Sequence, residues 1–151
     1  NKDGYADFVV CASKMPAAGD IEHDGRFLVL LGGVDGLNVE EPVSLGAGEV
    51  DLTAPYRGLP FFAGDLNGDG VEDIVVRCYT CSSVAILVYY GGGDPLSYPS
   101  TPSLAIPSSV FSSIYLGTAR TGDVNGDGLD DLLVVVGGAS PTLILFLGSL
   151  T

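Results

Sequence analysis

Asp65-Leu66-Asn67-Gly68-Asp69-Gly70-Val71-Glu72-Asp73, running straight into Ile74-Val75-Val76, is the stretch on which the reading of this chain turns. It returns as Asp123-Val124-Asn125-Gly126-Asp127-Gly128-Leu129-Asp130-Asp131, followed by Leu132-Leu133-Val134. The opening residues, Asn1-Lys2-Asp3-Gly4-Tyr5-Ala6-Asp7 and then Phe8-Val9-Val10, carry the same pattern without its first Asp. Three copies in 151 residues are not chance. The chain is a repeat protein, and each repeat begins with an oxygen-rich loop.

The spacing of the oxygens dictates their chemistry. Hard divalent cations take six to eight oxygen ligands, and Ca²⁺ accepts them in an irregular shell at about 2.3–2.6 Å. Side chains at loop positions 1, 3 and 5 (Asp65, Asn67, Asp69) turn inward together when the chain coils tightly. Gly70 at position 6 permits that coil, because a residue without Cβ tolerates positive φ. The Val71 carbonyl and the Asp73 carboxylate at position 9 then close the shell. The same reading gives a second complete site from Asp123, Asn125, Asp127, the Leu129 carbonyl and Asp131. Asn1, Asp3, the Tyr5 carbonyl and Asp7 give a partial one. A metal-free Asp/Asn/Gly turn is the plain alternative, since these residues favour turns anyway. Such a turn has no need of four oxygen side chains at 1, 3, 5 and 9, and without a cation its carboxylates repel one another.

Position 12 distinguishes between calcium loops. An EF-hand places a bidentate Glu there and continues as a helix. Here the position holds Val76 and Val134, inside apolar β-branched runs bounded by Gly and Asp, which is a strand signal. The absence of an acid at this position also argues against dockerin-like and thrombospondin-type repeats.

Composition agrees with a strand-rich, turn-rich chain: 46% hydrophobic, 22 Gly, 17% charged. No apolar run approaches the length of a membrane-spanning helix. No secretory leader is recognisable, so the sequence reads as mature, trimmed or internal. With 19 acidic against 6 basic residues the net charge is −13. Bound Ca²⁺ would cancel part of that excess, and no basic patch exists to neutralise phosphates, so nucleic acid is not an expected partner. The only His, His23, lies in the polar stretch Ile21-Glu22-His23-Asp24-Gly25 and reads as an exposed loop residue. Neither a G-x-S-x-G elbow nor a His/Cys pair in a recognisable context is present, and no enzymatic activity is expected. Cys78 and Cys81 form a lone C-x-x-C, weak as a zinc signal. We read it as a short disulfide clamping a hairpin end, with Cys11 free or paired outside the chain, which suits an oxidising, calcium-rich extracellular setting.

In chain order, strands are expected at Phe8 to Ala12, Arg26 to Gly33, Val43 to Leu45 or Val50 to Leu52, and Leu59 to Gly64. The second unit places them at Ile74 to Cys78, Val84 to Tyr90, near Leu104 to Ile106, and at Ser113 to Gly117. The third has Leu132 to Val136 and Leu143 to Leu147, two strands short of four. The repeat length, Asp65 to Asp123, is roughly 60 residues, in the range of propeller blades of about four strands. This divides the chain into a first blade (1–64, starting inside a loop), a second (65–122) and a partial third (123–151). Apolar runs such as Leu143-Ile144-Leu145-Phe146-Leu147 suit sheets covered on both faces.

Phe62-Ala63-Gly64-Asp65 through Val76, Thr121-Gly122-Asp123 through Val135, and the turn Val135 to Pro141 resemble the FG-GAP (VCBS-type) repeat. The resemblance implies an all-β fold of β-propeller blades, about two and a half of them here, with calcium loops between the strands of a blade. That repeat builds the propeller of integrin α subunits and of many secreted or surface bacterial proteins, with a structural role for Ca²⁺. It carries over to Asp65, Asn67, Asp69, Asp73, Asp123, Asn125, Asp127 and Asp131; the first copy departs by its missing Asp. Three functions are expected in order. The first is an extracellular module for adhesion, binding proteins or glycans at a cell surface or matrix. The second is a self-assembling structural subunit of a filament or ring, joined head to tail, whose Tyr98-Pro99-Ser100-Thr101-Pro102-Ser103 tract could carry O-linked sugar or be an ordinary surface loop. The third is the non-catalytic part of a secreted propeller enzyme.

Overall fold

The computed structural model describes residues 3–12, 26–40, 42–45, 60–77, 84–92, 98–99, 102–111, 116–137 and 140–150. Asn1, His23, Val50 to Leu52, the Cys78–Cys81 pair, and Ser100 and Thr101 of the Ser/Pro tract lie outside these residues.

Ten strands are described, most of them near-continuous apolar runs whose successive side chains serve opposite faces. The first sheet pairs β1 (Phe8–Ala12), β2 (Arg26–Leu30) and β3 (Val43–Leu45) in that order. The second is a four-stranded meander of β4 (Pro60–Phe62), β5 (Ile74–Arg77), β6 (Val84–Tyr89) and β7 (Leu104–Pro107), followed by a 3-10 turn at Ser108–Val110. The third joins β8 (Leu116–Gly122), β9 (Asp131–Val136) and β10 (Thr142–Phe146). Every pairing is antiparallel. Pro60 opens the edge strand of its sheet, a position where a missing N–H breaks no ladder bond.

Sequence periods and sheets are cut differently. The segments 1–64, 65–122 and 123–151 run from loop to loop, whereas each of the second and third sheets takes in the strand that precedes its loop. Phe62 pairs with Ile74 and Gly122 with Asp131 across loops two and three. The third sheet is therefore three-stranded rather than the two-stranded remnant expected from Leu132 onward. The pairing has a local cause: an antiparallel ladder is closed most directly by the shortest connection, and here that connection is the acidic loop.

The sheets stack face to face. Ile74, Val76, Leu87 and Tyr89 point from the second sheet toward the first, where they share a core with Val29, Val9 and Leu31. Val75, Ile86 and Val88 point the other way and pack with Leu132, Val134 and Val136 of the third sheet. The registers enforce this segregation, since Ile74 lies opposite Tyr89, Val76 opposite Leu87, and Val75 opposite Val88. Ala85 joins Ile86 on the third-sheet side, next to the register shift between Val84 and Ile86 that breaks the alternation. Phe111 closes this layer edge-on against Phe146, centroids 6.2 Å apart.

Coverage on both faces holds for the second sheet, in which Ile74 to Val76 and Ala85 to Tyr89 are all buried. It does not hold for β10. Ile144 and Phe146 pack inward, while Leu143, Leu145 and Leu147 lie exposed, because no described element covers the outer face of the third sheet. The architecture is all-β, in stacked antiparallel sheets of the propeller-blade kind. No helix among the described residues is long and apolar enough to cross a membrane.

Candidate metal loops

Loop two begins where β4 ends. Its mouth is closed by two main-chain bonds, Ala63 N–H to Asp73 O (2.8 Å) and Asp73 N–H to Gly64 O (2.7 Å). Between them the chain coils around its own carboxylates. Asp65 accepts from Gly68 N–H at 2.7 Å with one oxygen and from Gly70 N–H at 2.6 Å with the other. Asn67 Oδ1 accepts from Asp69 N–H, its Nδ2 donates to Asp69 Oδ2 at 3.1 Å, and Asp69 Oδ1 accepts from Val71 N–H. Gly68 and Gly70 sit at φ +79° and +80°, the left-handed region that a side chain disfavours.

Loop three reproduces these bonds one for one. Asp123 holds Gly126 and Gly128, Asn125 holds Asp127 through both main chain and side chain, and Asp127 holds Leu129. Its glycines Gly126 and Gly128 take φ +79° and +90°. Loop one keeps what its residues allow: Tyr5 N–H donates to Asp3 Oδ1, and Gly4 takes φ +87°.

The carboxylate at position 9 does something the sequence reading did not anticipate. Asp73 Oδ2 accepts from Leu66 N–H inside the loop, and its Oδ1 accepts from Gly91 N–H beyond the end of β6. Asp131 does the same with Val124 and with Gly148 beyond β10. Asp7 holds Gly32, just past β2. One carboxylate thus ties each loop to the end of the strand after next. The partner must be glycine because the carbonyl of the residue before the Asp fills the space of a Cβ. That oxygen would lie 2.7 Å from a Cβ on Gly91 (Glu72 O), 2.5 Å from one on Gly148 (Asp130 O), and would collide with one on Gly32 (Ala6 O). From sequence Gly32 and Gly91 read only as strand stops, and Gly148 carries no reading of its own. The signal that could have found them is their recurrence two strands after each position-9 Asp.

Electrostatics differ between the two complete loops. Burial raises the Asp73 carboxyl from 3.8 to about 6, with the neighbouring charges of Asp69 and Asp65 adding to the rise and the Gly91 and Leu66 N–H groups opposing it. Asp131 is held below its ordinary value, chiefly by the Gly148 N–H, against burial and with help from the Val124 and Asn125 N–H groups. The Tyr98 hydroxyl, buried and donating to Glu72 O at 3.0 Å, is pushed well above its usual range by burial and by the surrounding acids, Asp73 first.

At positions 1, 3, 5 and 9 each of the two complete loops thus offers three carboxylates and an amide, the hard-oxygen chemistry a divalent cation of the calcium type requires. The oxygens are spent on the loop's own N–H groups, and among the described residues no three acidic, His or Cys side chains converge as a metal cluster. A carboxylate oxygen has lone pairs for both an N–H and a cation, so these N–H bonds leave acceptor capacity on each carboxylate. The positions of the Val71, Leu129 and Tyr5 carbonyls as ligands are untouched by these bonds, which use only the N–H groups of those residues.

No curated protein matches the chain. A family model does, over residues 65–134, from the first residue of loop two to the middle of β9. That span holds the two complete loops, three strands of the second sheet and the start of the third, so the match rests on the same residues whose geometry repeats. Residues 65–134 match the FG-GAP-like repeat family, and over that span the chain is similar to FG-GAP-type repeat proteins.

Proposed function

We propose that this chain is a calcium-stabilised, extracellular β-propeller segment acting in adhesion, where it binds proteins or glycans at a cell surface or matrix. The observation that carries the metal part is the identity of loops two and three. Asp65/Asn67/Asp69 and Asp123/Asn125/Asp127 adopt one hydrogen-bond pattern around glycines in one backbone conformation. A turn that needed only to reverse the chain could use far fewer carboxylates. Asp73 is raised chiefly by burial, with a smaller repulsion from Asp69 and Asp65 that a bound cation would remove. Asp65, Asn67, Asp69, the Val71 carbonyl and Asp73 would hold one ion. Asp123, Asn125, Asp127, the Leu129 carbonyl and Asp131 would hold another, and Asp3, the Tyr5 carbonyl and Asp7, with Asn1, a weaker third. Binding free energy at such loops adds to folding free energy. The strand-rich scaffold and its net charge of −13 favour a binding role.

Calorimetric titration with Ca²⁺, beside thermal melts with Ca²⁺ or a chelator, tests it. The expected result is binding at the 10⁻⁴–10⁻³ M affinity of extracellular modules, a lower melting temperature in chelator, and loss of one site on either Asp69→Ala or Asp127→Ala. No heat and no thermal shift would overturn the metal reading. Turnover of a polysaccharide or phospholipid, abolished by a single side-chain change, would overturn the non-catalytic one.

A further inference from the structure

The Tyr98–Ser103 tract is anchored to the second unit at both ends. Ser103 N–H donates to Val88 O (2.8 Å), and the Ser103 hydroxyl accepts from Tyr90 N–H (3.1 Å). Tyr98 is only 8% exposed, its ring set among Val29, Ile74, Val76, Leu87 and Tyr89 in the core between the first and second sheets. Pro99 follows it, and a residue before proline is confined to extended backbone, so little freedom is lost in presenting the ring. The polar tip of that ring reaches loop two. The Tyr98 hydroxyl donates to Glu72 O at 3.0 Å, 26 positions back along the chain.

Glu72 lies between two residues of the loop that carry candidate ligand oxygens, Val71 through its carbonyl and Asp73 through its carboxylate. A peptide group is planar, so a bond at each edge fixes its orientation. The Glu72–Asp73 peptide has both: its C=O accepts from the Tyr98 hydroxyl, and its N–H donates to Gly64 O at 2.7 Å. The same carbonyl and the same ring also wall in Gly91. A Cβ on Gly91 would lie 2.7 Å from Glu72 O and 3.0 Å from Tyr98 Cε1. Gly91 N–H in turn holds Asp73 Oδ1. Tyr98 therefore meets the Asp73 tie at two points, the carbonyl that aims the peptide and the glycine that receives the carboxylate.

We propose that Tyr98 is a positioning residue for a divalent cation in loop two, presetting the Val71 carbonyl and the Asp73 carboxylate from outside the loop. The inference rests on the calcium reading of the loops. The Tyr98 hydroxyl bonds a carbonyl that is not among the candidate ligands, so it acts through the peptide and not on the ion. Without it the Glu72–Asp73 peptide keeps its Gly64 bond alone and can rock about the chain, carrying the Val71 carbonyl and the Asp73 carboxylate with it. Part of the cation's binding free energy then goes into ordering those two groups, which is the ordinary cost of lost preorganisation.

Tyr98→Phe removes the hydroxyl and leaves the ring in its packing, and calorimetric titration of the full chain with Ca²⁺ measures the effect. The affinity of loop two is read in an Asp127→Ala background and that of loop three in an Asp69→Ala background. Tyr98→Phe should weaken loop two roughly two- to tenfold, the worth of one hydrogen bond, and leave loop three unchanged. Amide exchange in chelator gives a second readout that needs no metal. The N–H groups of Asp73 and Gly91 should lose protection while those of β9 keep theirs. An unchanged loop-two affinity would overturn the proposal. So would an equal loss at both loops, which would mark the hydroxyl as a support of general stability. If the Asp127→Ala chain with Tyr98 intact gives neither heat nor a thermal shift with Ca²⁺, the calcium reading falls and the inference with it. A chain that binds equally well with Tyr98 or with Phe refutes the positioning role alone, which separates the two failures.

Discussion

Replacing Asp73 by Ala removes a carboxylate that satisfies two buried N–H groups at once, Leu66 at 2.8 Å and Gly91 at 3.0 Å. Each buried donor left without an acceptor costs roughly 1–3 kcal/mol. Part of that is returned, because burial and the charges of Asp69 and Asp65 already disfavour the ionised Asp73. The net loss expected is about 2–4 kcal/mol, a large share of the roughly 5–15 kcal/mol of a typical domain. Asp73→Asn keeps the shape and one acceptor oxygen but turns an NH₂ toward one of the two donors, so it should cost at least as much as one lost bond. Urea unfolding at neutral pH in chelator, followed by circular dichroism, measures both without a contribution from metal ligation. Amide exchange locates the effect: Gly91, eighteen positions along the chain from Asp73, should lose protection together with Leu66. The exposed neighbour Glu72 is the control, and Glu72→Ala should stay within about 0.5 kcal/mol of wild type. If Asp73→Ala unfolds within that same margin, or if Gly91 exchange is unchanged, the carboxylate is not the tie between loop and strand.

Gly91→Ala should destabilise by about 1–3 kcal/mol, the usual cost of overpacking. Its Cβ would lie 2.7 Å from Glu72 O and 2.8 Å from Val71 Cγ1; a neutral effect in the same unfolding assay would refute the close approach. Ile74→Ala, fully buried between the first and second sheets, should lose about 2–5 kcal/mol, and Ile74→Val about 0.5–1.5. Stability in chelator should fall as pH rises from about 4 to about 6. Folded Asp73 keeps its proton up to about 6, whereas the unfolded group releases it near 3.8, so the folded state binds more protons in that window and its advantage is lost as pH climbs through it. Asp131, shifted the opposite way, contributes stability that is present above its ordinary value and lost below it, at the acid end of the curve. Asp73→Asn should flatten the slope between 4 and 6 and leave the acid limb.

Strand positions were legible because apolar, β-branched runs bounded by Gly and Asp leave few alternatives: Phe8 to Ala12 forms as read, and Val43 to Leu45, one of the two places read for a third strand, forms as well. The grouping of strands was not, because a period marks where a unit recurs and not where its hydrogen bonds begin. Gly122 pairs with Asp131 across the loop, which places β8 in the third sheet although the period assigns it to the second. Positions 1, 3 and 5 of the loops stood out because their spacing has a local rationale. The tie from Asp73 to Gly91 did not, since its partners are separated by a whole hairpin and a glycine after a strand has a simpler reading as a stop. Asp130 was hidden for a third reason. Its carboxylate matters only because another unit's loop lies beside it, and a repeat read alone carries no trace of its neighbour.

The loop residues divide into three jobs, and the division couples the units. Positions 1, 3 and 5 hold the loop's own N–H groups. Position 9 ties loop to strand. In the third unit position 8 reaches the preceding unit, where Asp130 accepts from Asp65 N–H. Asp65 therefore serves two structures at once: its side chain braces loop two, and its main chain docks the third unit through one donated and one accepted bond. An ion that rigidified loop two would fix the main chain of Asp65 and Leu66 in the position Asp130 and Ser149 require. Docking of the third unit buries Leu66 and holds the same loop in place. Each event reduces the ordering the other must impose, and reciprocity follows because both act on one equilibrium of one loop. In a stack of repeats, where stability is a sum of unit terms and nearest-neighbour terms, the acidic loop contributes to both. Asp130→Ala in the third unit should then weaken calcium binding in the second while leaving the second loop's own residues untouched, and unchanged affinity at that site would show that the two terms are separate.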